Sequence, residues 1–333
     1  MSLPTRMAVS LPAPTGSVAD TIALAQRAEK MGYTDLWLAD AGGLDAFTLA
    51  PMLLEATESA RVGIAVVPAY TRTPAVMAST MAVIHQAYPG RFIPGFGTSS
   101  HAIVEGWHGL PLEKPLTRMK ETVALLRSMM AGEKTDFSGE TLRSKGYRQA
   151  PTELSPIYLA ALRSKMVETA AEIADGVILN LFPRGALPKI MEHVAIGAER
   201  GGKQPGEVEI VCRHMMVVSE DKAAARDAFR AGFVGYYATP VCNKFLEWAG
   251  YPDAAAEIRA GWAAKDRERT AAALPDELVD EIAIIGSADE CRELMRGYIA
   301  GGIHTNIVSC VYPTPEIFGA TIEAFSAENF ETA

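Results

Sequence analysis

The stretch "RFIPGFGTSSHAIVEGWHG", Arg91 to Gly109, decides how the chain is read. An apolar run ends in Gly-Phe-Gly, small polar residues follow, and a helix-like segment comes next. That is the outline of a dinucleotide-binding loop. Yet the third glycine of that motif is absent, and no acidic residue closes a second strand at the expected distance. What decides the fold is whether this strand-to-helix turn repeats.

It does repeat. Short β-rich runs stand at "RMAVSLPA" (6–13), "DLWLAD" (35–40), "RVGIAVVP" (61–68), "RFIPGFG" (91–97), "PIYLAA" (156–161), "GVILNL" (176–181), "EIVCRHMMVV" (209–218) and "TNIVSCVY" (305–312). Several are apolar almost throughout, as expected of parallel strands covered on both faces. Helical patterns separate them. Residues 18–31 end before Gly32, and residues 74–87 open on Pro74, a first-turn residue. Residues 164–174 start from Ser164 as an N-cap, and residues 287–300 start with Ser287 and Glu290 spaced as a capping box. Eight such βα units predict an α/β fold, a TIM (β/α)8 barrel, with an open doubly wound sheet as the rival topology. The expectation is a single domain over 1–333 with two insertions. One is a hairpin before strand five at about 134–151, and the other a helical excursion before strand eight at about 219–285. Within the excursion, "FVGYYATPVCNKFLEWAG" reads as core of that segment or as a substrate-covering or dimer surface.

Bulk properties narrow the class. A 49% hydrophobic content supports a large core, and 21% charged residues exclude a globally disordered chain. A net charge of −9 with no basic tract argues against nucleic acid or an anionic membrane as partner. No run approaches the roughly 18 apolar residues of a membrane span, and no export signal is seen. The four cysteines are scattered without a CxxC pair, so neither a zinc site nor a disulfide framework is expected, and a reducing cytoplasm is the expected setting.

A TIM barrel carries its chemistry at the C-terminal ends of its strands. That rule selects Asp40, whose carboxylate can accept a ligand hydrogen bond or move a proton, with N-capping as its structural alternative. It also selects "AALRSK" (160–165), where Arg163, Ser164 and the free N–H groups of a helix start can bind a phosphate, or merely cap the helix. Strand seven contributes "HMM" (214–216). In the opening stretch, Gly95 and Gly97 let the backbone approach a flat ligand, and His101 faces the pocket. His101, Glu105 and His108 have i, i+4, i+7 spacing, but the ligand set is too small, so no metal is expected. With no nucleophile elbow, Walker loop or Cys–His pair, a bound redox cofactor is expected to carry the chemistry.

Several segments resemble the bacterial luciferase-like superfamily, in its coenzyme F420-dependent oxidoreductase branch. "YTRTP" (70–74) is similar to the segment in methylenetetrahydromethanopterin reductases. "VEGWHG" (104–109) followed by "PLTRMKET" (115–122) resembles actinobacterial deazaflavin oxidoreductases. The likeness continues through residues 156–180 and 284–311 and is weak over 219–285. It implies hydride transfer between F420 and a small organic substrate, with FMN-dependent monooxygenase chemistry as the alternative. It also implies a homodimer. A cofactor-free binding protein on a degenerate barrel is the reading from a different class. The resemblance implies a non-proline cis peptide at Ile64–Ala65 or Ala65–Val66, with Ile64, Ala65 and Val66 backing the cofactor ring. It implies Gly97, Thr98 and Ser99 along the ring, and Ala160, Ala161, Leu162, Arg163 and Ser164 around a phosphate. Asp40 matches the family's aspartate after strand two, and His101 or Asp40 would supply a proton. Sugar-phosphate dehydrogenases of this family place a histidine where Ala41 stands and a glutamate where Ser100 stands, so glucose 6-phosphate oxidation is not expected.

Overall fold

The computed structural model describes residues 3–40, 42–152, 156–204, 206–311 and 314–331. Each β-rich run of the sequence forms a parallel strand, but two of them break in the middle. In chain order the elements are β1 (Arg6–Leu11), α1 (Val18–Lys30), β2 (Asp35–Leu38), α2 (Ala46–Ala56), β3 (Arg61–Ile64), β4 (Val67–Pro68) and α3 (Pro74–Ala87). Next come β5 (Phe92–Ile93), β6 (Gly95–Gly97), a π-helical turn at Ala102–Trp107, and α4 (Pro115–Met130). An antiparallel hairpin, β7 (Asp136–Ser138) and β8 (Arg143–Lys145), precedes β9 (Tyr158–Ala160), α5 (Ser164–Ile173), β10 (Gly176–Asn180), α6 (Leu187–Arg200) and β11 (Glu209–Val218). The helices α7 (Lys222–Ala238), α8 (Pro240–Trp248), α9 (Pro252–Ala263), α10 (Arg267–Ala272) and α11 (Asp276–Ile282) then lead to β12 (Ile284–Gly286), α12 (Ala288–Ala300), β13 (Thr305–Cys310) and α13 (Pro315–Glu323).

The parallel sheet curls on itself. β13 lies beside β1, and the ladder runs on through β2 and β3. From the other side β13 pairs β11, followed by β10, β9 and β6. The third and fourth runs meet in two pieces, β3 with β5 and β4 with β6. This is the strand arrangement of a TIM barrel, and the rival open sheet does not describe it. β12, unmarked in the sequence reading, adds a short parallel rung to the far end of β11.

Between β3 and β4 the Ala65–Val66 peptide is cis, the second of the two bonds named above. Strand four accommodates that break with its glycines. A Cβ on Gly95 would lie 2.1 Å from the Ile64 carbonyl oxygen, and one on Gly97 would lie 2.6 Å from a Val66 methyl. The space they leave is filled by strand three.

The helices form where the sequence places them, with two adjustments. α12 carries the expected capping box of Ser287 and Glu290. α5 begins one residue earlier than expected, with Arg163 as N-cap and Ser164 as the first helical residue, so Ser164 does not cap it. The segment after His101 is a π turn rather than an α-helix.

Inside the barrel, strand alternation stacks side chains in layers. The middle layer is apolar: Ala8, Trp37, Ile93, Tyr158, Ile178, Val211 and Ile307. The layer at the N-terminal end is ionic. Arg61 bridges Asp35 (Nε–Oδ1 2.7 Å) and Glu209 (Nη2–Oε1 2.9 Å), while Thr305 and the Tyr158 hydroxyl also donate to Glu209. Burial raises Asp35's pKa. Burial also opposes the charge of Glu209, but Arg61 and the two hydroxyls outweigh it and hold that carboxyl at about 2. Helices α7 to α11 have a core of their own, including Phe229, Tyr237, Leu246, Ile258 and Leu278. The Tyr237 hydroxyl donates to the Leu181 carbonyl (2.9 Å), which ties this core to the end of β10. The aromatics at Phe229, Tyr237 and Phe245 are thus core.

Candidate functional site

The C-terminal ends of the strands gather the candidate residues at one mouth. Ser10, Trp37, Leu38, Ala39, Ala65, Arg213 and Ile307 enclose a narrow crevice at its floor, too tight to admit water. Above β2, Asp40 is partly buried. Burial raises its pKa, and the nearby positive charges of Arg72 and His108 pull the other way. A carboxyl whose pKa is raised by burial in this way can accept a hydrogen bond or exchange a proton. Arg72 is fixed by an ion pair with Asp45, the N-cap of α2, and lies 5.3 Å from the Phe47 ring centroid.

The opening stretch also reaches Asp40, through the charge of one of its histidines. His101 stands largely in solvent and pairs with Glu105 (Nδ1–Oε2 3.2 Å). The histidine whose charge reaches Asp40 is His108, carried there by the π turn. The same turn lays the exposed Trp107 ring against Gly42, where a Cβ would come within 3.2 Å of it. Thr98 and Ser99 follow β6 and are partly buried, and Ser99 has φ +62°. Leu181, at the end of β10, has φ +53°. Two L-residues in the left-handed region, past the ends of β6 and β10 on either side of β9, mark backbone held by its surroundings. Ala41 and Tyr312 lie outside the described residues.

At the end of β9, Ala160, Ala161, Leu162 and Arg163 lead into α5. The first N–H groups of that helix have no carbonyl one turn back to bond. The Arg163 side chain makes no hydrogen bond or ion pair with any described residue. Its charge and the helix start together form a positive pole without a protein counter-ion. Helix α8 approaches this pole, since Arg163's charge is felt by the thiol of Cys242. Among the described residues no group of three His, Cys, Asp or Glu side chains is placed to hold a metal, and no helix is long and apolar enough to cross a membrane.

Sequence reasoning missed Arg213. On strand seven it selected residues 214–216, but His214 points out of the barrel. It packs 4.5 Å from the Tyr298 ring and meets Asn306 (Nε2–Oδ1 3.0 Å), and burial lowers its pKa to about 4. The inward residue is its neighbour. Val211 lies in the interior layer, so two-residue alternation turns Arg213 inward one layer above. The signal was available: a lone cation within the apolar run "EIVCRHMMVV".

A model of the luciferase-like monooxygenase family matches residues 1–305. The chain is 29% identical to the 5,10-methylenetetrahydromethanopterin reductase of Methanolobus tindarius over 289 residues, 86% of this chain and 88% of that protein. Among solved structures, the coenzyme F420-dependent tetrahydromethanopterin reductase of Methanopyrus kandleri superposes with a TM-score of 0.80 at 20% identity, covering 98% of each chain. The oxygenating constituent of 3,6-diketocamphane monooxygenase from Pseudomonas putida, in complex with FMN, does so with a TM-score of 0.69 at 15% identity, again over 98% of each. At such identities these two likenesses are of fold.

Proposed function

The chain belongs to the luciferase-like monooxygenase family, and from that premise we propose that it is a coenzyme F420-dependent oxidoreductase acting on a small organic molecule. The observation that carries this reading is the near full-length similarity to a methylenetetrahydromethanopterin reductase. The residues of the mouth fit an anionic redox cofactor. The pole formed by Arg163, Ser164 and the start of α5 lacks a counter-ion and would take its phosphate, with Ala160, Ala161 and Leu162 alongside. Ile64, Ala65 and Val66 would back the ring, and Gly97, Thr98 and Ser99 would line it. When bound, the deazaflavin supplies hydride transfer. The protein holds the reactants in register and excludes water, and it moves a proton at Asp40. His108 sets the charge Asp40 experiences, whereas His101, in solvent, is the weaker candidate for the proton.

The fold neighbour carrying FMN favours one second reading, a flavin-dependent monooxygenase. Absorbance titration of the purified protein with each cofactor separates the two. Saturable binding of F420 without FMN is expected. Retention of FMN with oxygen uptake on reduction would replace the proposal with the second reading. Binding of neither would leave a cofactor-free binding protein. We further propose a cytoplasmic homodimer. Met52 on α2 and Val76 and Val83 on α3 expose apolar surface suited to self-association, which sedimentation would test.

A further inference from the structure

The strongest unexplained feature of the mouth is Arg213. A guanidinium stays charged at neutral pH, and a buried charge is normally paired. Arg213 is not. Its Nε is fully buried without an acceptor, and its side chain makes no hydrogen bond or ion pair with any described residue. Burial depresses its pKa to about 10, which leaves it a cation at neutral pH, and among the described residues the charge it senses is that of Tyr236. It lies beside Asn180 of the neighbouring strand β10, whose Oδ1 is also buried and unpaired, and it shares the floor crevice with Ser10. The residue keeps part of its solvent exposure. On the barrel interior, in the last inward layer, that exposure opens to the mouth. A cation without a counter-ion in such a place costs folding stability, and the ionic layer at the other barrel end shows how this chain pairs an arginine when the purpose is structural.

We propose that Arg213 is the anchor of an anion site on the mouth side of the floor crevice, and that it binds there the carboxylate of a monoanionic substrate. A single guanidinium matches a carboxylate in charge and in its two-pronged donor geometry, whereas a phosphate dianion would need more donors than this floor presents. The assignment of that carboxylate to a substrate rests on the oxidoreductase reading above, but the anion site itself does not.

Trp37 lines the same crevice, so the protein contains a fluorescent reporter. The purified full-length chain is titrated with acetate, butyrate and benzoate, each against its neutral amide, with and without F420. Tryptophan emission and thermal midpoint are read in parallel. The expected result is a saturable change with at least one carboxylate, at least tenfold weaker with its amide. In Arg213→Gln the carboxylate response falls at least tenfold, and in Arg213→Lys it is partly restored. Without ligand, Arg213→Met is expected to melt at or above the wild-type temperature, because it removes an unpaired buried charge. A lower midpoint in Arg213→Met, equal responses to acids and amides, or an undiminished response in Arg213→Gln would overturn the proposal. If F420 fails to bind while the carboxylate response stands, the cofactor reading falls and the anion site remains.

Discussion

Glu209→Gln tests the ionic layer at the N-terminal end of the barrel. Glu209 is buried and accepts from Arg61, Tyr158 and Thr305 together. A carboxyl held at about 2 instead of its ordinary 4.5, at about 1.36 kcal/mol per pH unit, corresponds to about 3 kcal/mol of stability at neutral pH. The mutation also leaves Arg61 with Asp35 alone, beside the positive Arg6, and breaking a buried pair costs about 3–5 kcal/mol. The two routes agree. With an unfolding entropy of about 2.1 cal/mol/K per residue, 3 kcal/mol lowers the melting temperature of this chain by about 4 °C. The depressed pKa also fixes the sign of the pH dependence. The stabilisation is complete above about pH 4.5 and is lost as pH falls toward 2, so wild type and variant converge in acid. Urea denaturation at pH 7 and at several points down to pH 3 measures this. A difference below 1 kcal/mol at pH 7, or one that does not shrink toward pH 3, would refute the assigned role of the layer.

Three other outcomes are expected. Arg163→Ala weakens F420 binding by about 10- to 100-fold, the worth of a charge-assisted phosphate contact, and flattens its salt dependence, as isothermal titration at two ionic strengths would show. Asp40→Asn lowers turnover by about 100-fold or more while F420 affinity changes little. Because burial raises Asp40's pKa, its ionised form opposes folding as pH rises past the ordinary carboxylate range, so the variant's ligand-free melting temperature at pH 7 is equal or higher. Gly95→Ala places a methyl 2.1 Å from a backbone oxygen, which no side-chain rotation relieves. A loss of at least about 1–3 kcal/mol is expected, with wild-type stability by denaturant titration as the contrary result.

The sequence was most legible where local chemistry sets structure. The run "EIVCRHMMVV" is the full strand β11, and Ser287 with Glu290 forms the capping box of α12. It was least legible where two strands settle a question jointly. Gly95 and Gly97 leave room on their Cβ side for strand three, a contact that the run "RFIPGFG" does not reveal by itself. His101 carries the sequence signal of a pocket residue, but a π turn brings the charge of His108, and not His101, toward Asp40. Arg213 was lost to register. Alternation around a barrel turns 213 inward and 214 outward, and a one-residue slip exchanges a mouth cation for a core histidine.

The two ends of this barrel interior contain the same residue type under opposite conditions, and the contrast assigns each end its work. At the N-terminal end Arg61 is bracketed by Asp35 and Glu209, and its charge is consumed in holding strands together. At the C-terminal end Arg213 and Arg163 have no carboxylate partner among the described residues, and Asp40 is pushed toward its neutral form by burial. Uncompensated charges are tolerated only where something outside the fold compensates them. Replacing Arg61 should therefore lower stability with or without ligand. Replacing Arg163 or Arg213 should lower stability only when an anionic ligand is bound. Melting temperatures of the three variants, taken with and without F420 and a responsive carboxylate, test that difference. A ligand-free loss for Arg163→Ala or Arg213→Met comparable with that for Arg61→Met would remove the distinction between a structural and a binding end.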